Sequence, residues 1–301
     1  MKILVTGGAG FIGHNVAIVL KNHGFEVVVL DSLERASEQA INRLKAAGVP
    51  IIKGNILNDT AVRNALVGVK VVVHAAAYIS VEESLQKPAQ YFRNNVAATA
   101  NIAKNCLDKN VELIIYVSSA AVYGEPKHLP INEMHPTNPT SPYGLSKLMG
   151  EEVVKFYGGQ GLNYVILRLF NVYGLGQTGA YAGVITNFIE NAKNGKPPII
   201  YGDGQQTRDF IHVADVAEAI KRAIEKPPTG QTINIATGKP TTIKELAELI
   251  IKLSRLNLKP IFAEPRPRDI KHSCADIALA KRLLGFEPKI TLEEGLKSLM
   301  E

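Results

Sequence analysis

Short β-branched runs alternate with longer stretches of helical periodicity through the first half of the chain. Residues 2–6, 25–31, 49–54, 70–75, 111–118 and 164–169 read as strands, with 11–23, 34–47, 59–66, 85–108 and 142–158 as the helices between them. That alternation predicts successive βαβ units feeding a parallel sheet, hence an α/β, doubly wound fold. Ser141-Pro142 marks a helix start, a capping serine followed by a proline at the first helical position. From about Leu175 the rhythm breaks into Gly/Pro-punctuated loops, with helices near 181–194, 214–225, 241–256 and 291–300. The expected organisation is a first domain over 1–174, sharing later strands from about 200–238, and a smaller lobe made mostly of 175–301. No internal repeat or low-complexity tract is visible.

Composition narrows the class without naming it. Over 301 residues, 46% are hydrophobic and 21% charged, which places the chain among globular proteins and excludes disordered, collagen-like and low-complexity scaffolds. No apolar run approaches the ~18 residues of a membrane span, and the first apolar stretch stops at Thr6-Gly7-Gly8-Ala9-Gly10, so a cytoplasmic protein without a membrane partner is expected. Cys106 and Cys274 stand far apart with no Cys/His cluster, so neither a disulfide framework nor a metal site is expected. Both thiols read as buried and inert. A net charge of +6 permits anionic partners, the densest basic patch being Arg266-Pro267-Arg268-Asp269-Ile270-Lys271. No basic arm interleaves with aromatics, which argues against nucleic acid and leaves a phosphorylated small molecule.

Gly7, Gly10 and Gly13 follow the first strand and open the first helix in Thr-Gly-Gly-Ala-Gly-Phe-Ile-Gly. Such a turn lets backbone N–H groups approach a pyrophosphate, and the helix N-terminus adds partial positive charge. Asp31 ends the second strand 18 residues beyond Gly13, where a carboxylate accepts hydrogen bonds from an adenosine ribose and repels a 2′-phosphate. That favours NAD over NADP. Arg35, four residues on, weakens the preference, although an arginine near a helix start is commonly just solvated. His74-Ala75-Ala76-Ala77 closes the fourth strand with small side chains, suited to a dinucleotide lying against the backbone or equally to a crowded helix-sheet contact.

Tyr143 and Lys147 stand at i and i+4 near a helix start, on one face. A tyrosine is a poor base at neutral pH, and a neighbouring ammonium that favours the phenolate is what proton transfer requires. The strand before it ends in Tyr116-Val-Ser118-Ser119, placing hydroxyls at the carboxyl edge of a parallel sheet, where ligands bind in such folds. The serines serve there either as bridges to a substrate oxygen or as strand-end turn formers.

Together these motifs resemble the extended short-chain dehydrogenase/reductases of the nucleotide-sugar epimerase/dehydratase type, most closely the UDP-galactose (UDP-glucose) 4-epimerases. The resemblance spans the chain and includes Arg168-Leu-Phe-Asn171-Val-Tyr173-Gly174, Tyr201-Gly-Asp-Gly-Gln-Gln-Thr-Arg208-Asp-Phe-Ile-His212 and Arg266-Pro-Arg-Asp269. It implies Ser119, Tyr143 and Lys147 as the catalytic set. For NAD it implies Gly7, Gly10, Phe11, Ile12, Gly13, Asp31, Ser32, Asn55, Ile56, His74, Ala75, Ala76, Ala77, Asn95, Ser118, Tyr143 and Lys147. For a UDP-sugar it implies Ser80, Ser119, Tyr143, Asn171, Val184, Tyr201, Arg208, Arg266, Asp269 and Ser273, with Asn171 and the two arginines on the diphosphate and Tyr201 near the uracil. Arginine forks match phosphate oxygens, although a surface ion pair is the alternative for each.

Two departures stand out: Asn55 occupies a position where relatives carry Asp, and Arg268 precedes Asp269 where Gly or Ala is usual. The 4,6-dehydratases need an Asp-Glu pair after the strand-end hydroxyl, and here Ala120 and Ala121 stand instead, so elimination has no acid or base. Ser273 replaces a bulky tyrosine found in some members, which implies room for an N-acetylated sugar. The implied reaction is oxidation at C4, rotation of the 4-keto sugar and hydride return. Two other readings are the same chemistry on another NDP-sugar such as UDP-glucuronate, and a non-catalytic dinucleotide-binding relative. The resemblance further implies a homodimer through a four-helix bundle of 85–108 and 142–158, with Ile102, Cys106, Leu148 and Val153 compatible with it and equally with packing on the sheet.

Overall fold

The computed structural model describes residues 1–177, 183–266 and 269–301. Its centre is a seven-stranded, all-parallel sheet in the order β10-β6-β5-β4-β1-β2-β3, where β1 is Lys2–Thr6, β2 Glu26–Asp31, β3 Ile51–Lys53, β4 Val71–His74, β5 Leu113–Ser119, β6 Tyr164–Leu169 and β10 Gln231–Ile235. These strands are nearly continuous Val/Ile/Leu runs because both faces are covered. Helices α1 (Phe11–Asn22) and α9 (Val213–Glu225) pack on one face. Helices α3 (Asp59–Ala65), α6 (Ala98–Asp108) and α7 (Pro142–Gly158) pack on the other. The chain runs outward from β1 to β3 and then returns to place β4 on the opposite side of β1. The carboxyl ends of β1 and β4 therefore form the switch point at which doubly wound sheets bind ligands.

The rest forms a second core. Here α8 (Val184–Lys193), α10 (Ile243–Ser254) and α12 (Leu292–Met300) pack with β8 (Ile199–Tyr201) and β9 (Thr207–His212). Of the later stretch expected to rejoin the first domain, β10 enters the main sheet, whereas β9 pairs with β7 (Asn171–Tyr173) and β11 (Pro240–Thr242), and β8 with β12 (Ile261–Ala263). No helix among the described residues is long and apolar enough to cross a membrane.

Three expectations need correction. The helix expected over 34–47 starts later, as α2 (Glu38–Ala46), because Ser37 caps it by accepting from the Ala40 N–H at 3.1 Å. The single helix expected over 85–108 is instead α4 (Val81–Gln86), α5 (Pro88–Phe92), a π-helical turn over Arg93–Ala97, and α6. Pro88 forces the break, since the residue before it, Lys87, leaves helical geometry at φ −129° and ψ 52°. A further helix, α11 (Ala278–Leu284), was not anticipated; it is short and has no side-chain cap to announce it. Arg268 and the residues at 181–182 that were expected to begin a helix lie outside the described residues.

Candidate active site

The turn from β1 into α1 builds the first half of the site. Gly10 caps α1 with extended backbone and no side chain, and the first turn holds no acid, so the N–H groups of the helix end face the cleft uncapped by any side chain. Gly7 has φ +65°, and a Cβ on it would fall 2.5 Å from the Ala76 Cα, so the turn after β1 lies directly against the segment after β4. This cradle suits a pyrophosphate laid across the switch point. Asp31 stands at its far end, Oδ2 accepting from the Ala9 N–H at 2.9 Å and Oδ1 from the Leu33 N–H at 2.8 Å. Burial pushes its carboxyl above the usual range against the pull of those two donors. Gly7, Gly10 to Gly13, Asp31, Ser32, Asn55, Ile56 and Ala75 to Ala77 all line this one cleft. Asn55 turns its Oδ1 to the Leu57 N–H at 2.8 Å.

Three members of the expected cofactor set direct their side chains elsewhere. His74 is fully buried with its ring between the hydroxyls of Thr6 (2.7 Å) and Thr99 (2.9 Å); burial, aided by the Lys147 charge, depresses its pKa to about 3, so it is a neutral core residue. Asn95 accepts from the Tyr78 N–H at 2.8 Å and donates to the Tyr78 carbonyl and the Ser146 hydroxyl, both at 2.9 Å. Its neighbour Asn94 lines the cleft, because the π-helical turn shifts the helical register there. Ser118 donates at 2.5 Å to Glu151, whose carboxylate is gripped by the Arg168 fork at 2.9 and 2.7 Å. Sequence reasoning missed Tyr78, which lines the cleft, and misjudged Arg35. That guanidinium is not merely solvated: it forks onto Glu83 at 2.9 and 3.0 Å and lies 3.9 Å over the Tyr78 ring.

At the next strand end, Ser119 closes β5 and its Oγ accepts from the Ala121 N–H at 3.1 Å. Helix α7 begins where expected, Ser141 accepting from the Gly144 N–H at 3.1 Å with Pro142 behind it. Burial pushes the Tyr143 phenol up from its ordinary value, and hydrogen bonding with Ser119 draws it back down. Lys147 is buried, with Nζ 4.3 Å over the Tyr116 ring. Burial lowers its pKa to about 7, and the Glu151 charge opposes the shift. The arrangement supplies a hydroxyl and a phenol hydrogen-bonded to each other, with an easily deprotonated ammonium one turn further along α7.

The expected substrate residues fall into two linked groups. Arg208, on β9, donates to Asp269 at 2.5 Å and to the Thr207 carbonyl at 2.8 Å. Burial presses on its charge and Asp269 sustains it. Ser273 is buried beside them, its N–H donating to the Thr207 carbonyl at 3.2 Å. A cavity of about 410 Å³ bounded by Glu125, Thr140, Asp269 and Ile270 opens next to this pair. In the second group the Arg266 guanidinium lies 4.2 Å over the Tyr201 ring and 3.7 Å from Glu82 on α4. Ser80 caps that same helix, accepting from the Glu83 N–H at 3.0 Å, so its hydroxyl is engaged locally. Asn171 is exposed on β7 opposite Phe210 of the strand that carries Arg208, and Val184 opens α8.

The sequence profile of the NAD-dependent epimerase/dehydratase family matches residues 3–236. The chain belongs to this family. Within the family it is 35% identical to the UDP-glucose 4-epimerase of Bacillus subtilis, over 98% of this chain and 94% of that protein. The UDP-glucose 4-epimerase of Thermotoga maritima, solved with UDP-glucose, superposes with a TM-score of 0.94 at 35% identity, covering 99% of this chain and 96% of that one. The UDP-N-acetylglucosamine 4-epimerase of Methanobrevibacter ruminantium, solved with UDP-N-acetylmuramic acid, gives the same TM-score of 0.94 at 36% identity, with coverage of 99% and 96%. NAD is the dinucleotide of this family of epimerases, and the uncapped helix end, the Gly7–Ala76 approach and the Asp31 carboxylate fit it.

Proposed function

We propose that the chain is a 4-epimerase that interconverts UDP-galactose and UDP-glucose and accepts the N-acetylated pair as well. The reading is supported by the hydrogen bond between Ser119 at the end of β5 and Tyr143 at the start of α7, with Lys147 one turn further along the same helix. NAD, when bound, supplies a reversible hydride acceptor. Tyr143 would take the proton of the sugar 4-hydroxyl and return it to the same oxygen after the keto sugar has turned, while Ser119 hydrogen-bonds that oxygen and Lys147 stabilises the phenolate. Arg208 and Arg266 would hold the diphosphate, so the keto sugar can turn without leaving. The short turn at Ala120 and Ala121 carries no acid or base for elimination, which speaks against dehydration. In this reading 1–174 with β10 binds NAD, and most of 175–301 binds the nucleotide sugar.

The test is incubation of the purified protein, with no added cofactor, with UDP-galactose and with UDP-GalNAc, products being resolved by NMR. Conversion of both to the gluco epimers is expected. Failure on both, even with NAD supplied, would overturn the reading. Ser273→Tyr is expected to reduce UDP-GalNAc turnover by at least about tenfold and leave UDP-galactose within about threefold, since a bulky ring beside Arg208 excludes the acetamido group but not a hydroxyl.

We also infer a homodimer through α7, for which three of the four apolar positions weighed above take the packing alternative. Ile102 and Cys106 are fully buried toward the sheet, and Leu148 packs with the Val122 and Phe170 cluster. Leu145, Met149 and Phe156 are instead 40%, 41% and 64% exposed, at i, i+4 and i+11, which is one face of the helix. Met149→Glu with Phe156→Glu is expected to convert a dimer to a monomer in sedimentation velocity; a doubly substituted chain that still sediments as a dimer would rule this face out.

A further inference from the structure

The Arg35 side chain is the feature of the cofactor cleft that the family chemistry leaves unexplained. It follows Asp31 by four residues and lines the same cleft, which is where an arginine accommodates a 2′-phosphate in dinucleotide sites that accept one. By position it therefore contradicts Asp31, whose carboxylate repels that phosphate. The contradiction is resolved by a residue 48 positions further on. Both terminal nitrogens of Arg35 donate to Glu83, one to each carboxylate oxygen, at 2.9 and 3.0 Å. This fork-to-fork geometry is the strongest form of the pair and fixes the guanidinium plane. The face of that plane lies 3.9 Å over the Tyr78 ring, which also lines the cleft. Glu83 is itself anchored, accepting from the Tyr91 hydroxyl at 3.0 Å and the Lys87 ammonium at 3.3 Å, while its N–H is held by the Ser80 cap.

We propose that Glu83 is a cofactor-selecting residue: by neutralising Arg35 and holding it on Tyr78, it withdraws that cation from the 2′ position and lets Asp31 alone decide for NAD. Swinging the fork to a phosphate would break two charge-assisted hydrogen bonds and lift the guanidinium off the ring, so the pair costs NADPH binding and leaves NADH binding untouched. Removing the charge of Glu83 while keeping its shape takes away the carboxylate fork that holds Arg35 on the Tyr78 ring.

The test is to exchange the resident cofactor of the purified protein against NADH and, separately, NADPH, and to read the cofactor taken up by its fluorescence. Glu83→Gln is expected to shift the ratio of the two dissociation constants toward NADPH by about tenfold, the worth of one recruited charge-assisted contact. Arg35→Ala in the Glu83→Gln background is expected to abolish that gain. Arg35→Ala alone is expected to leave the ratio at the parental value, because Glu83 already occupies the guanidinium. A Glu83→Gln ratio within twofold of the parent, a gain that survives loss of Arg35, or a fall in NADPH affinity on Arg35→Ala alone would each overturn the proposal. NADH binding by each variant reports that it has folded, and Glu83→Ala, which also removes the charge, serves if the glutamine variant does not. The readout is binding alone, so it stands whichever sugar is the substrate.

Discussion

Tyr143→Phe is expected to lower kcat for UDP-galactose about a thousandfold and leave the melting temperature unchanged, a loss within the range for removing a positioned proton-transfer group. The substitution deletes one oxygen at the start of α7 and keeps the ring that packs there. The phenol is costly to ionise on its own, since burial pushes it up and only Ser119 draws it down. Lys147, with a pKa lowered by burial to about 7, changes the accounting. Below that pH the pair holds two protons and no phenolate. Loss of one proton leaves a state that the lysine and the tyrosine share, and its ammonium–phenolate form is the reactive one. The parental rate is therefore expected to rise as pH increases through about 7 and then level off. A Tyr143→Phe loss below about tenfold would place the proton transfer on another group.

The parts of this arrangement that can be read from sequence are those set by local chemistry. Strands buried on both faces need unbroken apolar runs, so β1, β5 and β6 stand out against their polar surroundings. Ser141-Pro142 announces α7, and the glycines after β1 announce the cradle, because each satisfies a constraint within one turn of chain. What lies outside that range is hidden. Period-2 alternation says that Ser118 and Ser119 face opposite ways but not which one meets Glu151, since the answer depends on a helix 33 residues later. Asn94 and Asn95 exchange places because the π-helical turn adds a residue that no propensity marks. Arg35 looks solvated until α4 brings Glu83 to it. The three-residue strands β7, β8, β11 and β12 carry too little pattern to be distinguished from loops.

Lys147→Met is expected to separate the requirements of stability from those of activity. An ammonium whose pKa falls from 10.5 to about 7 on folding disfavours the native state, each unit being worth about 1.4 kcal/mol. In the unfolded chain the lysine stays protonated up to about pH 10.5, so the penalty is full below pH 7 and fades as pH rises between those two values. An apolar side chain of similar length removes it. The substitution does not strand Glu151, which keeps both arms of the Arg168 fork and the Ser118 hydroxyl. At pH 7 the variant is therefore expected to melt several degrees higher than the parent, the gain a net of about 2–3 kcal/mol once the lost contact over the Tyr116 ring is counted. By pH 10 the two melting curves should nearly coincide. Over the same range kcat is expected to fall at least a hundredfold, with its rise moved to higher pH, because burial raises the phenol and it then ionises without a neighbouring cation. A variant less stable than the parent at pH 7 would mean that the ammonium is compensated in the fold, and that its charge is held for structure as well as for proton transfer.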